Sequence, residues 1–475
     1  MVGLPDVAVQ ESRERVRAAV KNSGLRFPTT RVTVNLAPGH VRKAGPAYDL
    51  PVALAILLAS GELVTHIPLH KIMMLGELAL DGSVRSVAGV LAAALLAREE
   101  KFTTIIVPAA NAREAAVVEG LNVLGANSLV DVVRHLIGEV PIIPAPPTPY
   151  GSSQSIESAY DFSYVQGQGH VKRALEIAAA GAHNILLSGP PGAGKTLLAR
   201  SLTTILPPME KEEVLDVTRI YSSAGLLGDG QDLVTERPFR SPHHTASHVA
   251  LVGGGTIPRP GDVSLAHRGV LFLDELPEFA RHVLEALRQP LEDGTVTVAR
   301  SAGSVTFPAR FTLVAAQNPC PCGFATDTER ACTCTPTQLI AYRRRISGPL
   351  LDRIDLFVSV PRLSTSELSS QPTAESSADI RQRVVAARDR QRVRLSDAGV
   401  LTNAELTSEQ VRRLCAIEPA AKALLAGAVD RLRLSARAYY RLLKVAQTIA
   451  DLKALDCITE REVAEALQYR AADEA

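Results

Sequence analysis

The sequence of 475 residues is long enough for three domains with sizeable cores. Its net charge of +1 excludes a global nucleic-acid-binding signature, although a local basic patch is compatible with it. No apolar run is long enough to cross a membrane, no secretion signal stands out, and six cysteines are too few for a secreted disulfide framework. We therefore expect a cytoplasmic protein.

Residues 1–139 alternate short β-like runs with apolar helices, which predicts an α+β domain. A turn at 80–83 contains an Asp-Gly pair, which favours a hairpin. The predicted elements are a strand at 31–36, a buried helix at 49–60, the hairpin from 72, a helix at 87–98 and a strand at 104–107.

Four stretches of this domain resemble the proteolytic domain of Lon proteases, a fold shared with the second domain of ribosomal protein S5. The stretches lie at 44–49, 75–78, 87–91 and 106–108. In Lon proteases, the resemblance places a nucleophilic serine where this chain has Ala47, and an activating lysine where it has Leu91. Neither replacement can perform nucleophilic chemistry, so we expect the fold without the peptidase activity and a role in assembly or partner binding. Because such domains usually have a further strand or two before Met1, we also expect either a late start or an open sheet edge.

Residues 140–157 are rich in Pro, then in Gly and Ser, and predict a semi-extended linker. A second domain is predicted from residue 158, where an amphipathic helix at 170–180 precedes a short apolar strand at 184–188.

The stretch 189–196 matches the phosphate-binding pattern G-x-x-x-x-G-K-[ST] between this strand and an apolar helix. Glycines let backbone N–H groups converge on phosphate oxygens, and the helix N-terminus adds partial positive charge. Lys195 is expected to reach the β- and γ-phosphates of ATP, and Thr196 to hold Mg²⁺. The predicted residues of this loop are Gly189, Pro190, Pro191, Gly192, Ala193, Gly194, Lys195 and Thr196.

A second motif strengthens the first. The apolar run 269–273 predicts a buried strand that delivers Asp274 and Glu275 to the ligand-binding edge of an α/β sheet. Asp274 is expected to complete the Mg²⁺ shell, and Glu275 to orient and activate the attacking water. The next buried strand, at 311–316, leads to Asn318, which suits sensing of the γ-phosphate. Together these motifs predict Mg²⁺-dependent ATP hydrolysis.

A long insertion separates the two motifs and contains the adjacent histidines His243 and His244. We disfavour a metal site there, because adjacent side chains rarely reach one ion. Beyond Glu275, the alternating runs 295–299 and 304–307 predict a β-hairpin around Arg300.

Four of the six cysteines lie within fifteen residues, in the pattern C-x-C, nine residues, C-x-C. Four thiolates can close a tetrahedral Zn²⁺ site. The spacing differs from that of the usual C-x-x-C knuckles. The sequence is therefore compatible both with a zinc site and with reduced thiols in a loop. The candidate ligands are Cys320, Cys322, Cys332 and Cys334.

These motifs, with 237–244, 258–275, 318–323 and 347–355, resemble the YifB/ComM family of magnesium-chelatase-like AAA+ proteins over nearly the whole chain. The resemblance implies a ring-forming ATPase; for ComM members it implies a hexamer that branch-migrates DNA in recombination during natural transformation. It also implies that Arg353 is an arginine finger reaching the ATP of a neighbouring subunit. Arg437 matches the second sensor, which touches the γ-phosphate from a helical lid.

The predicted fold is α/β. It comprises a Lon/S5-like α+β domain at 1–139, an AAA+ doubly wound P-loop core at 158–363 and a C-terminal α-helical lid at 364–475. In the lid, an arginine-rich helix at 379–395 is expected to be mainly a solvated face.

Three functions are candidates for the process that ATP hydrolysis drives. The family resemblance favours DNA remodelling by a homo-oligomeric ring. The expected partner is branched or single-stranded DNA, and no association with a membrane is expected. Arg300 and the basic run 343–345 would then meet phosphates in the channel. The runner-up is metal insertion into a porphyrin with partner subunits. Protease-like unfolding comes third, because Ala47 and Leu91 disfavour it.

Overall fold

A computed structural model describes residues 1–3, 6–39, 43, 45–149, 159–228, 231–255, 258–300, 303–327, 330–363 and 375–470. Within these ranges, no helix combines the length and the apolar character that crossing a membrane requires. Two parallel sheets, one in each of the first two predicted domains, organise this part of the chain.

The first sheet has three parallel strands in the order β1–β4–β5, and β2 pairs with β3 in a separate hairpin. The helices and strands are α1 (Val7–Asn22), α2 (Asp49–Ala59), β1 (Ile72–Met74), β2 (Glu77–Leu78), β3 (Val84–Arg85), α3 (Val90–Glu99), β4 (Thr104–Pro108), α4 (Ala112–Ala115), β5 (Asn122–Ala126) and α5 (Leu129–Ile137). The predicted helices at 49–60 and 87–98 and the strand at 104–107 are confirmed. The hairpin is confirmed only from residue 77, because β1 joins the parallel sheet instead.

The strand predicted at 31–36 is wrong. Asn35 forms only an isolated bridge with Val2, and the backbone of Val2 exchanges two hydrogen bonds with Val34 and Leu36. The segment has no buried residue on either face, with Val32 40 % exposed. Val34 and Leu36 are half-buried against the core of the first domain, but a single bridge does not make the segment a strand.

The start of the predicted linker packs along the edge of the first sheet. Pro144 bridges to Leu124 in β5, and the Ala145 N–H donates to the Val123 carbonyl over 2.8 Å. The Thr148 hydroxyl donates to the Arg113 carbonyl over 2.6 Å. The predicted extended backbone is found here, although residues 140–149 are held against the domain. Residues 150–157 lie outside the described residues.

The second sheet has five parallel strands in the order β14–β6–β13–β10–β7. Its elements are α6 (Gly169–Gly181), β6 (Ile185–Ser188), α7 (Lys195–Ile205), α8 (Lys211–Ala224), β7 (Phe239–Arg240), α9 (His248–Val252), β8 (Gly253–Gly254), β9 (Arg259–Pro260), α10 (Asp262–Leu265), β10 (Val270–Leu273), α11 (Arg281–Glu285), α12 (Arg288–Asp293), β11 (Thr295–Arg300), β12 (Gly303–Pro308), β13 (Thr312–Gln317), α13 (Pro336–Arg343), α14 (Gly348–Leu351) and β14 (Leu356–Ser359). The central strands are buried apolar runs, as sheets covered on both faces require.

Helices form the C-terminal region, as predicted. They are α15 (Ser377–Leu395), α16 (Ser408–Leu414), α17 (Pro419–Leu432), α18 (Ala436–Leu452) and α19 (Glu460–Gln468). Their apolar faces share one core with α6, α7 and β6. The C-terminal helices therefore pack directly on the second domain.

The expectation of a mainly solvated arginine face on α15 is confirmed for Arg383, Arg390 and Arg392, which are exposed, and is wrong for the other three arginines. Arg381 and Arg388 donate to the carbonyls of Thr204 and Ala179, over 2.8 and 2.9 Å, near the ends of α7 and α6. Arg394 pairs with the buried carboxylate of Asp451 over 2.6 Å. Guanidinium groups reach the carbonyls that helix ends leave without intrahelical partners, so this face joins the lid to the core.

The first domain contacts the second domain through α8. Glu114 is buried and accepts hydrogen bonds from the Leu91 N–H, over 2.9 Å, and from the Ser222 hydroxyl, over 2.5 Å. The Gly89 N–H donates to the Ser222 carbonyl over 3.0 Å. Leu91, which stands where the Lon resemblance places a lysine, is fully buried beside this contact.

Candidate functional site

The loop 189–194 connects β6 to α7, as the phosphate-binding motif predicts. Gly194 has φ +85°, a backbone conformation that L side chains rarely adopt. A Cβ on Gly189 would lie 2.2 Å from the Val360 carbonyl oxygen. The two glycines are therefore required by the path of the loop, which turns its backbone towards the N-terminus of α7.

Lys195 is buried at the start of α7, and its ammonium group is fully engaged. Its Nζ donates to the carbonyls of Gly189 and Pro190, over 2.7 and 3.0 Å, and to Asn318 Oδ1 over 3.1 Å. Burial lowers the pKa of Lys195, while the carboxylates of Asp274 and Glu275 oppose that shift. Asn318 thus meets the phosphate-binding loop, where the sequence places it.

Asp274 and Thr196 come together at the same edge. The Thr196 hydroxyl donates to Asp274 Oδ2 over 2.9 Å, and Asp274 Oδ1 accepts from the Glu275 N–H over 2.9 Å. A hydroxyl and a carboxylate are hard oxygen ligands of the kind that Mg²⁺ prefers. These residues therefore fit the predicted magnesium site.

Glu275 adopts φ +52° directly after β10, and its side chain is 53 % exposed. One of its carboxylate oxygens, Oε2, lies 3.2 Å from His244 Nδ1. Sequence reasoning missed this contact, since His243 and His244 were weighed only as metal ligands. The motif alone gives no sign that residues 31 positions apart would meet.

A cavity of about 360 Å³ lies beside the phosphate-binding loop. It is lined by 164–166, Gln168, Leu197 and Leu363, among others. Gln168 closes one side, because its Nε2 donates to the carbonyls of Ala193 and Pro361 over 3.1 and 3.0 Å. Its size and position fit the base of a bound nucleotide.

The structure does not bring Arg353 and Arg437 to this edge. Arg353 donates to the Pro349 carbonyl over 2.5 Å and pairs with Glu292, while Arg437 Nη2 lies 3.7 Å from the other oxygen of Glu292. The two arginines therefore share one carboxylate. They line a cavity of about 680 Å³ in which basic side chains outnumber acidic ones by eight to six.

The direction of the strands separates the two arginines from the phosphate-binding loop. β14 runs parallel to β6, with Leu356 opposite Ile185 and Ser359 opposite Ser188. Arg353 precedes β14, whereas the phosphate-binding loop follows β6. The groups therefore lie at opposite edges of the sheet, about 13 Å of strand apart.

The four clustered cysteines converge. The Sγ atoms of Cys320, Cys322 and Cys332 lie 3.3 to 3.7 Å apart, and all four sulfurs lie within 4.8 Å of one another. Backbone N–H groups of Phe324 and Thr333 lower the pKa of Cys322 to about 5. Tetrahedral Zn²⁺ with Zn–S bonds of about 2.3 Å needs sulfurs about 3.8 Å apart, so the cluster fits zinc.

The cysteine loop also packs on the phosphate-binding loop. A Cβ on Gly323 would lie 2.6 Å from Pro191 Cδ. Cys320 itself is fully buried, two positions after Asn318. The cluster is therefore part of the wall of the nucleotide site.

The predicted hairpin is confirmed as β11 and β12, which pair from Thr295 with Pro308 to Arg300 with Gly303. The side chain of Arg300 lies outside the described residues. Of the basic run 343–345, all three side chains are exposed, and Arg345 pairs with Glu278 over 2.7 Å.

Comparison with known proteins agrees with this geometry. Family profiles match residues 1–111 ("Subunit ChlI of Mg-chelatase"), 161–368 ("Magnesium chelatase, subunit ChlI") and 374–470 ("Magnesium chelatase, subunit ChlI C-terminal"). The chain is 45 % identical to the uncharacterized protein YifB of Escherichia coli, over 100 % of this chain and 91 % of that protein. It is 44 % identical to the competence protein ComM of Haemophilus influenzae, over 99 % and 91 %.

The chain belongs to the YifB/ComM family of magnesium-chelatase-like AAA+ proteins. It is an AAA+ ATPase, and the family implies the use of ATP and Mg²⁺. A more distant relative is the magnesium-chelatase 38 kDa subunit of Rhodobacter capsulatus, 28 % identical over 36 % of this chain and 53 % of that protein. The three matching family profiles show that the likeness to the chelatase subunit extends over all three regions of the chain.

Changing Lys195 and Glu275 should separate binding from turnover. Lys195→Ala should abolish binding of a fluorescent ATP analogue, because it removes the cation from the phosphate cradle. Glu275→Gln should keep that binding and lower phosphate release about 100-fold or more, because an amide cannot accept a proton from water.

Lys422→Ala, at an exposed lid position, serves as the control and should match the unmodified protein in both assays. Near-normal phosphate release by Glu275→Gln would remove Glu275 from the proposed role.

Proposed function

We propose that this protein is a ring-forming motor that hydrolyses ATP at subunit interfaces and uses the energy to remodel DNA. The observation that carries the proposal is the division of the site between two edges of one sheet. One chain presents a phosphate cradle at one edge and two arginines at the other. Copies arranged head to tail would join the two half-sites, and such heterologous contacts close into rings.

Within one chain, the cradle would bind and orient the triphosphate through the loop N–H groups and the Lys195 ammonium. Thr196 and Asp274 would hold Mg²⁺, which neutralises charge on the phosphates. Glu275 would accept the proton of the attacking water, and Asn318, already bonded to Lys195, would orient groups near the γ-phosphate.

The neighbouring chain would supply Arg353 and Arg437. Their shared partner, Glu292, is 54 % exposed, whereas the Arg353 side chain is 8 % and the Arg437 side chain 46 % exposed, and all three residues line the larger cavity. A phosphate group has more charge than this carboxylate, so it would compete for both guanidinium groups. In this arrangement Arg437 acts on the neighbour's nucleotide together with Arg353.

Mixing two inactive variants tests the shared site. Arg353→Ala should bind ATP but lose most hydrolysis, because a finger in trans contributes about 10³–10⁵ in rate. Adding Lys195→Ala protein should restore part of the phosphate release, since mixed interfaces combine an intact cradle with an intact Arg353.

The matched control is the double variant Lys195→Ala/Arg353→Ala, which should restore nothing. Full hydrolysis by Arg353→Ala alone would contradict a role in the site, and failure of the mixture would contradict action in trans.

DNA is the proposed substrate of the motor. The chain is close in sequence to a protein named for competence, and its hairpin β11–β12 and exposed basic run 343–345 offer cations without making the chain basic overall. Contacts to phosphates carry little sequence information and weaken with salt. We therefore expect sequence-tolerant, salt-sensitive binding of branched or single-stranded DNA.

A four-way DNA junction provides the test. With ATP and Mg²⁺ the protein should move the junction, and DNA should raise the rate of ATP hydrolysis. Glu275→Gln should bind the junction without moving it. Arg300→Glu should keep basal hydrolysis and lose the stimulation by DNA.

The same ATPase assay with a porphyrin and Mg²⁺ tests the second candidate, which the shared chelatase core favours. No response to any DNA structure, together with a response to the porphyrin, would overturn the DNA proposal in favour of chelatase-like chemistry.

We also propose that the four clustered cysteines bind one structural zinc ion, in keeping with a reducing cytoplasm. The observation that supports it is the convergence of four sulfurs at nearly tetrahedral spacing. Zinc would fix the loop that follows Asn318 and packs on Pro191.

Elemental analysis should find about one zinc ion per chain, and the double change Cys332→Ser/Cys334→Ser should remove it, because two ligands cannot hold zinc at a four-ligand site. Chelation should lower the melting temperature of the unmodified protein. Cys457→Ser, outside the cluster, should keep the metal. If the purified protein contains no metal and its melting temperature does not change with chelators, the zinc proposal is wrong and the cysteines are reduced thiols.

A further inference from the structure

The cavity of about 680 Å³ contains arginines besides the two proposed to act in a neighbouring subunit. Arg237, Arg268 and Arg310 each lie two positions before a strand of the second sheet, namely β7, β10 and β13. Because these strands are parallel neighbours, the three arginines lie along one edge of the sheet. Together with Arg388 of α15, which lines the same cavity, they form what we call the inner basic group.

The inner basic group is separate from the proposed intersubunit arginines. Arg353 precedes β14, which is three positions from β10 in the order of strands. Since neighbouring strands lie about 4.8 Å apart, the starts of β14 and β10 are about 14 Å from each other across the sheet. The carboxylate partners differ as well, because Arg353 pairs with Glu292, whereas Arg268 pairs with Glu405 over 3.1 Å.

Positive charge exceeds negative charge in this part of the cavity. Glu213 pairs with Arg237 over 2.8 Å. Glu405 lies 3.1 Å from Arg268 and 3.3 Å from Arg310, so one carboxylate serves two guanidinium groups. Four arginines thus face two carboxylates, and the other charged residues of the cavity wall are four of each sign. The excess of positive charge therefore belongs to the inner basic group.

Buried donors along the same wall have no acceptor. Among the residues that the structure describes, the Nε atoms of Arg268 and Arg388 and the Oγ1 atom of Thr402 are buried without a hydrogen-bond partner. All three residues line the cavity, and Thr402 is 3 % exposed. Buried donors are costly when they are left unsatisfied, so a ligand rich in acceptor oxygens would be favoured here.

The environment of Arg388 points to the same kind of ligand. Its Nη2 donates to the Ala179 carbonyl over 2.9 Å, and this acceptor carries no net charge. Burial, together with the positive charges of Arg237 and Arg268, lowers the pKa of Arg388 to about 10. An anion beside the guanidinium group would oppose both effects.

We propose that the inner basic group binds a phosphate group between the second domain and the C-terminal helices. Phosphate oxygens accept several hydrogen bonds at once, and the planar guanidinium group matches their geometry. Arg268 and Arg310 would hold the phosphate from the sheet, and Arg388 and Thr402 would hold it from the C-terminal region. The ligand would therefore strengthen the contact between the two regions, within one chain and without a ring.

Two sources offer this chemistry. One is the inorganic phosphate that ATP hydrolysis releases, and the other is the phosphate chain of a free nucleotide. The cavity is large enough for either ligand.

Titration of inorganic phosphate into Lys195→Ala protein tests the site, because this change removes the cation of the phosphate-binding loop. The melting temperature should rise and reach a plateau, since a ligand that binds the native state stabilises it. Sodium chloride at matched ionic strength is the salt control. Arg310→Ala on this background should weaken the apparent binding about tenfold or more, and so should Arg388→Gln. Arg390→Ala, an exposed position of the same helix, should leave it unchanged.

A rise without a plateau would overturn the proposal, because phosphate also stabilises proteins by being excluded from their surface. An equal plateau in Arg310→Ala and Arg388→Gln would overturn it too. If Arg388→Gln does not fold, Arg310→Ala decides alone, since the Arg310 side chain is 39 % exposed.

Arg353→Ala on the same background separates this site from the proposed intersubunit site. It should keep the binding of phosphate. Loss of binding in Arg353→Ala, with binding retained in Arg310→Ala, would place the phosphate at the intersubunit arginines and overturn the inner site alone. Failure of the mixing experiment with Arg353→Ala would instead contradict the proposed function and leave this site intact.

Titration with ADP in place of phosphate distinguishes the two sources. A plateau at a lower concentration of phosphate than of ADP would assign the site to the product of hydrolysis. The reverse order would assign it to a nucleotide. Both results support the site, provided that Arg310→Ala weakens the binding.

Discussion

Parallel strands in one sheet all end at the same edge, and this constraint assembles the nucleotide site. β6, β13 and β10 are neighbours in the sheet, and the residues that follow them are the phosphate-binding loop, Asn318 and Asp274. Three segments far apart in sequence thereby meet at one place, where we propose that they act as a cradle, a sensing amide and a metal ligand. The same constraint sends whatever precedes β14 to the other edge, so Arg353 lies away from the phosphate-binding loop of its own chain.

The sequence predicts what is local or repeated in pattern: the loop 189–196, the buried strands, the hairpin β11–β12 and the helices of the lid. It does not predict contacts that depend on how segments pack. The pairs His244 with Glu275 and Arg353 with Glu292 join residues 31 and 61 positions apart, and no periodicity marks them. The arginines of α15 carried the opposite signal, because a charged helix face usually indicates solvent, whereas here it meets carbonyls of α6 and α7.

In the first domain, a buried leucine lies where the resemblance to Lon proteases places an activating lysine. The position of Leu91 requires a buried apolar side chain once α3 packs on α8, and a lysine there would have to lose its charge or find a carboxylate. Glu114 is near, but it already accepts from the Leu91 backbone and from Ser222 of the ATPase core. Leu91 and Glu114 therefore take part in the contact between the two domains.

Glu292 contacts both Arg353 and Arg437 within one chain. In the proposed ring, this contact would make ATP hydrolysis depend on protein concentration. In the proposed ring every working site needs two copies, so specific activity obeys mass action and falls on dilution below the dissociation constant of the interface. An isolated chain would keep its arginines neutralised by their own carboxylate and would consume little ATP. In the proposed ring, hydrolysis without a substrate would thereby be limited by how often subunits meet, and a cell could set the output of the motor through the abundance of the protein alone.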